Sequence, residues 1–233
     1  VAFPTTIRGN TIALNHKNRG SLFAVLGAQT YKSLDEGENW FPVGIPIPSA
    51  SRANAFVVSP KHSNLWVAAV AGLEGQIVRS TNAGTTWSAP LTMTYGEYGV
   101  PLEMHPERPD TLYFGPANAP LWRSTNFGST WAVWTTDSAF RSPCDLIVVP
   151  DSAEIILVGD GTTNSTNPPA QMYKSTNAGL TFQLMYSGPG GQDASEIPGM
   201  ACSRLNKGVT LGTHWSGGGT VPSTNYGTSW SQE

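Results

Sequence analysis

An eight-residue string returns five times along the chain. It reads SLDEGENW at 33–40, STNAGTTW at 80–87, STNFGSTW at 124–131, STNAGLTF at 175–182 and STNYGTSW at 223–230. The closing aromatics, Trp40, Trp87, Trp131, Phe182 and Trp230, are 47, 44, 51 and 48 residues apart. A period in the forties leaves room for four short strands per repeat, the spacing of propeller blades. The third repeat shows the grammar: GVPLEMHP as a strand, ERPD as a turn, TLYFG as a strand, PANAP as a loop, LWRS as a strand, then the string as a tight turn into WAVW. The expected fold is therefore all-β. It is a β-propeller of five four-stranded blades in one domain, 1–233, with the string between the third and fourth strands of each blade. VAFPT at the N-terminus is expected to complete the last blade, because closing a sheet structure removes exposed edges.

Turn chemistry explains the string. Gly37, Gly84, Gly128, Gly179 and Gly227 at the fifth position tolerate positive φ. Asp35, Asn82, Asn126, Asn177 and Asn225 at the third bond backbone amides two residues on. The leading serine adds a hydroxyl bond, and the final aromatic packs beneath the turn. The pattern S-x-[DN]-x-G-x-[TSN]-[WF] resembles the Asp-box, or bacterial neuraminidase repeat, across nearly the whole chain. Its flanks, HPERPDTLYFG before LWRSTNFGSTW, are similar to those of xyloglucanase-type glycoside hydrolase propellers. The resemblance implies a propeller, and in the families that share it the box is a structural turn.

Composition narrows the function. Charged residues make up only 12% of the chain, and polar turn formers fill the gap, which suits short strands rather than amphipathic helices. The net charge is −3 and no Lys/Arg cluster occurs, which argues against nucleic acid as a partner. No run of 18 apolar residues exists, so no membrane span is expected. The chain opens at Val1 without a signal peptide, as in a mature secreted form or an excised fragment. Cys144 and Cys202 fall in the first strands of neighbouring repeats, as a pair of thiols or a disulfide. Asn164 begins a glycosylation sequon. No cofactor or metal motif is present.

Function is expected on the loops between second and third strands and between blades, since a rigid scaffold carries binding residues on its connections. TYGEYG places Tyr95, Glu97 and Tyr98 together, THWSGGG offers His214 and Trp215, and GQDASE offers Asp193 and Glu196. Aromatic rings beside polar groups suit a sugar, whose C–H face stacks while its hydroxyls bond. Arg52 and Arg141 lie on suitable loops. Glycoside hydrolysis needs two carboxyl groups, for which Glu97, Asp137, Asp193 and Glu196, with Glu74 and Asp160, are candidates. His16, His62 and His105 fall in or beside the short turns and are expected in solvent. Three functions follow: an extracellular or cell-surface lectin-like module for a glycan or polysaccharide, a glycoside hydrolase or one propeller of it, and a scaffold for a protein partner.

Overall fold

The computed structural model describes residues 9–14, 20–71, 75–95, 99–135, 140–161, 168–191, 194–215 and 218–231. Every named element is a strand. The first sheet holds β1 (Gly9–Leu14), β2 (Leu22–Leu26), β3 (Gln29–Ser33) and β4 (Phe41–Val43). The second holds β5 (Arg52–Val58), β6 (Trp66–Ala71), β7 (Gln76–Ser80) and β8 (Ser88–Thr92). The third holds β9 (Leu102–Met104), β10 (Leu112–Phe114), β11 (Trp122–Ser124) and β12 (Ala132–Val133). The fourth holds β13 (Pro143–Val148), β14 (Ile156–Asp160), β15 (Gln171–Ser175) and β16 (Gln183–Ser187). The fifth holds β17 (Gly199–Cys202), β18 (Thr210–Thr213) and β19 (Thr220–Ser223). Each sheet is an antiparallel meander in chain order. The fifth has three described strands, and the Ser231 amide donates to the Pro222 carbonyl at 3.0 Å. The fold is a five-bladed β-propeller. VAFPT lies outside the described residues.

The string forms the same turn in all five sheets. Its serine hydroxyl donates to Oδ1 of the third residue at 2.8–3.0 Å and accepts the glycine amide at 2.8–2.9 Å. That Oδ1 also accepts the amide of the seventh residue at 2.9–3.0 Å. Where Asp35 stands, Asn39 donates its side-chain amide to the second carboxylate oxygen; where asparagine stands, Thr86, Thr130, Thr181 or Ser229 accepts instead. The glycines take φ from 71° to 100°. The residue before each, Glu36, Ala83, Phe127, Ala178 and Tyr226, is also left-handed, with φ from 50° to 59°. That second left-handed residue, which sequence pattern alone does not flag, is held by its own amide. The amide donates at 2.8 Å to Gly20, Asn64, Asp110, Glu154 or Gly208, in the turn between the first two strands of the same sheet.

Neighbouring sheets are clasped through these turns. The Ile45 amide donates to the Gly84 carbonyl at 2.9 Å, Arg79 Nε to the Phe127 carbonyl at 2.9 Å, Trp134 Nε1 to the Ala178 carbonyl at 2.8 Å, and Lys174 Nζ to Thr228 Oγ1 at 2.7 Å. Four of the five turns thus offer a polar group to the preceding blade besides satisfying their own. Two closing aromatics sit under their own turns: Trp40 and Trp230 donate Nε1 to the carbonyls of Gly37 and Gly227 at 2.8 and 3.1 Å.

Two compact units divide the chain. One holds the first two sheets with 109–111 and 124–131, and the other holds 95–108, 112–123 and everything from 132 onward. The core of the first unit gathers Phe23, Val25, Phe56, Trp66 and Val78, where Phe23 and Phe56 meet the Trp66 ring edge-on at 5.2 and 5.5 Å. The second unit buries Tyr113, Phe140, Leu146, Val158 and Phe182 in one cluster and Ala170, Met172, Ile197 and Val221 in another.

The expectation for one histidine changes. His105 is fully buried rather than solvated. Its Nδ1 accepts the amides of Glu107 and Arg108 at 3.1 Å, so the ring closes its turn from inside. Burial, then the adjacent Arg108 guanidinium, pushes its pKa down. Cys144 and Cys202 are free thiols. Cys144 Sγ stands at the Ser142 carbonyl and Cys202 Sγ at the Thr210 hydroxyl.

Candidate functional site

The second unit brings together loop residues of the fourth and fifth blades. Tyr186 sits near the end of β16, ahead of a glycine-rich connection, and His214 and Trp215 follow β18 directly. The Tyr186 hydroxyl and His214 Nε2 are 2.9 Å apart. His214 is buried, which lowers its pKa, while its interaction with the Glu196 carbonyl opposes the shift. Burial favours the neutral imidazole, in which one ring nitrogen donates and the other accepts.

The backbone fixes this pair. His214 donates its amide to the Gly219 carbonyl at 3.0 Å, and Trp215 donates to the Glu196 carbonyl at 3.2 Å. A β-carbon on Gly188 would lie 2.9 Å from His214 Cε1, so only glycine lets that strand end pass so close. Trp215 remains 39% exposed, the largest ring that this loop group offers to solvent.

Glu196 itself is buried, and burial raises its carboxyl pKa. Its Cγ lies 2.9 Å, and Cys144 Sγ 2.7 Å, from where a β-carbon on Gly161 would stand. Asp160 has a different task. Its carboxylate accepts the amides of Arg141 and Ser142 at 3.0 and 2.7 Å and pairs with Arg141 Nε at 3.5 Å. Arg141 also donates Nη2 to the Pro169 carbonyl at 2.7 Å. Burial raises the Asp160 pKa and these donors pull it back. Both side chains thus position the start of β13. Trp215 is exposed and Tyr186 half-buried, while His214 and Glu196 are buried, His214 held to Tyr186 and the Glu196 carbonyl to the Trp215 amide.

Of the sequence candidates, His214, Trp215 and Glu196 come together, and Arg141 joins Asp160 beside them. Tyr95 turns inward: it is buried with its ring edge-on to Phe114 at 5.8 Å. Arg52 opens β5 in the other unit. Glu74, Glu97, Tyr98, Asp137 and Asp193, and the sequon at Asn164, lie outside the described residues. Tyr186 was not singled out from the sequence, although its place just before SGPGG marks a strand end feeding a loop. Glu103 on β9 and Asp145 on β13 were also missed; each is a lone carboxylate inside an apolar strand, a costly placement that signals a purpose.

The architecture defines the class of protein: a five-bladed propeller with a polar-aromatic loop cluster. The sequence matches no protein-family model and no curated protein. Among solved structures it is similar to the GH74 enzyme of Niastella koreensis, with a TM-score of 0.71 and 21% identity over 96% of this chain and 38% of that one. It is also similar to the GH74 xyloglucanase from Xanthomonas campestris, with a TM-score of 0.70 and 18% identity over 100% of this chain and 38% of that one. YCF48 bound to D1 peptide aligns with a TM-score of 0.64 and 14% identity over 100% of this chain and 70% of that one. These likenesses show the propeller fold. The chain spans 38% of the length of each of the two GH74 enzymes. No helix among the described residues is long and apolar enough to cross a membrane.

Proposed function

We propose that this protein is a secreted or surface-exposed propeller that binds carbohydrate on the loop surface of its fourth and fifth blades. The observation that carries the reading is the exposed Trp215, next in sequence to His214 of the hydrogen-bonded Tyr186–His214 pair. A sugar ring stacks on the indole while Tyr186 accepts one of its hydroxyls. The repeated turn, read as an Asp-box, serves this site only by holding the blades. A glycan array with the purified chain tests the proposal. Binding that weakens on the order of tenfold in Trp215→Ala, about 1.4 kcal/mol, supports it. Silence across neutral glycans, or affinity unchanged by Trp215→Ala, removes it.

A second reading makes the chain one propeller of a larger glycoside hydrolase. It is favoured by the likeness to GH74 propellers and by Glu196, whose carboxyl pKa burial raises, the direction a general acid needs. Release of reducing sugar that disappears in Glu196→Gln supports this reading. Binding without release returns the argument to the lectin-like module.

A further inference from the structure

The first two strands of every blade are joined by a connection of one length: 15–21, 59–65, 105–111, 149–155 and 203–209. The last rung before that connection is therefore equivalent throughout: Leu14–Leu22, Val58–Trp66, Met104–Leu112, Val148–Ile156 and Cys202–Thr210. Side chains along a strand alternate between the two faces of the sheet. Phe56 and Val58 share one face and pack in a cluster with Phe23 of the preceding blade, the Phe23 and Phe56 rings 6.3 Å apart. Leu146 and Val148, at the same two positions, share a cluster with Tyr113 of the preceding blade. The last rung and the residue two before it thus look backward. The rung between them, which carries Phe23 and Tyr113 on its second strand, looks forward.

Burial at these positions breaks at two places. The backward-looking Phe56, Val58, Leu146 and Val148 are 0–5% exposed, but their equivalents in the first blade, Ile12 and Leu14, are 68% and 60% exposed. The forward-looking Phe23, Tyr113 and Leu157 are 0–2% exposed, but their equivalent in the fifth blade, Leu211, is 40% exposed. On the same face as Leu211, Val209 is 36% exposed and the paired Ala201 is exposed as well. A repeat that ends a stack presents a polar outer face to water. Ile12, Leu14, Val209 and Leu211 are apolar instead, the composition of a blade face that has a neighbour.

We propose that the Ile12–Leu14 face of the first blade binds the Leu211 face of the fifth blade on a second copy of this chain. The occupant follows from the blade interfaces within each unit. Each joins a forward face to a backward face, and one chain exposes one of each. None of the side chains at these positions is charged, so no like charges oppose the contact. Because two different faces meet, the contact is heterologous and copies join head to tail. The inference goes beyond the carbohydrate reading and does not depend on it.

Sedimentation velocity of the purified chain across a concentration series tests the contact. The mean mass is expected to rise above that of one chain as concentration rises. Ile12→Asp and Leu211→Asp each put a charge into the contact, and each variant alone is expected to assemble roughly tenfold more weakly or worse. An equimolar mixture of the two variants is expected to form heterodimers and stop there, because one intact forward face then meets one intact backward face. A chain that stays single at every concentration overturns the proposal. So does assembly that ignores either substitution, or a mixture that assembles no better than its components. Should a variant fail to fold, hydroxyl-radical labelling of the unaltered chain decides. Labelling of Leu14 and Leu211 that falls as concentration rises supports the contact, and labelling that does not change overturns it.

Discussion

Replacing Gly84 with alanine separates two costs that the repeated turn otherwise hides. Gly84 has φ of +78°, and a β-carbon there would lie 2.7 Å from Trp66 Cζ3. Trp66 has no room to retreat: it is 1% exposed, meets Phe23 and Phe56 edge-on, lies against Trp87, and donates Nε1 to the Ser63 carbonyl at 2.8 Å. Gly37 holds the same place in the first blade, in the same unit, with φ of +100°. There the added carbon meets Leu22 Cδ1 at 3.5 Å and Trp40 Cζ2 at 3.7 Å, which is ordinary contact. Both variants carry the left-handed strain of an L-residue, about 1–2 kcal/mol. Only Gly84→Ala adds overpacking against a rigid ring, about 1–3 kcal/mol more. Urea unfolding of the two single variants measures the difference directly, through midpoint shifts at constant slope. Gly84→Ala is expected to be the less stable by that second amount. Equal losses would refute the argument, because they would mean that the Trp66 packing gives way without cost.

Other outcomes follow from the same geometry. Ser124→Ala removes a buried hydroxyl that accepts the amides of Gly128 and Asn126 at 2.8 and 3.3 Å, and is expected to destabilise by about 1–3 kcal/mol through the orphaned donors; unchanged denaturant midpoints would contradict it. Asp35 is held to a pKa of about 2, first by the side-chain amide of Asn39, then by the Asn39 backbone amide and the Ser33 hydroxyl. Its folded pKa is depressed, so the support it gives its turn is present above the unfolded carboxylate range and is lost as pH falls through about 2. A ¹³C titration of Asp35 with a midpoint near the ordinary carboxylate value would count against these bonds, and Asp35→Asn is expected to keep the fold, as asparagine does in the other four turns.

The blade plan was legible because its chemistry is local. Within eight residues the string supplies its own acceptor, its own donors and the left-handed glycine, and the same bonds recur in every sheet. The period between strings then fixes four strands per blade. The loop cluster was half legible. His214, Trp215 and Glu196 stood out by type and by glycine-rich sequence around them, yet the Tyr186–His214 bond depends on strand ends 28 residues apart. Tyr95 carried the same signals as Trp215 but packs against Phe114, because only the course of the backbone decides which side of a loop faces the core.

The amino-acid sequence by itself determined the repeat, the turn that closes each repeat, the all-β class and the lack of any Lys/Arg cluster or long apolar run. Tertiary structure alone decided which carboxylates are positioning groups. Asp160 is spent on Arg141 and Ser142, while Asp145 accepts the Met200 amide of the fifth blade across 55 residues. The reason is physical: a turn satisfies its hydrogen bonds among neighbours in sequence, whereas burial and like-charge proximity arise only when separate sheets pack and exclude water.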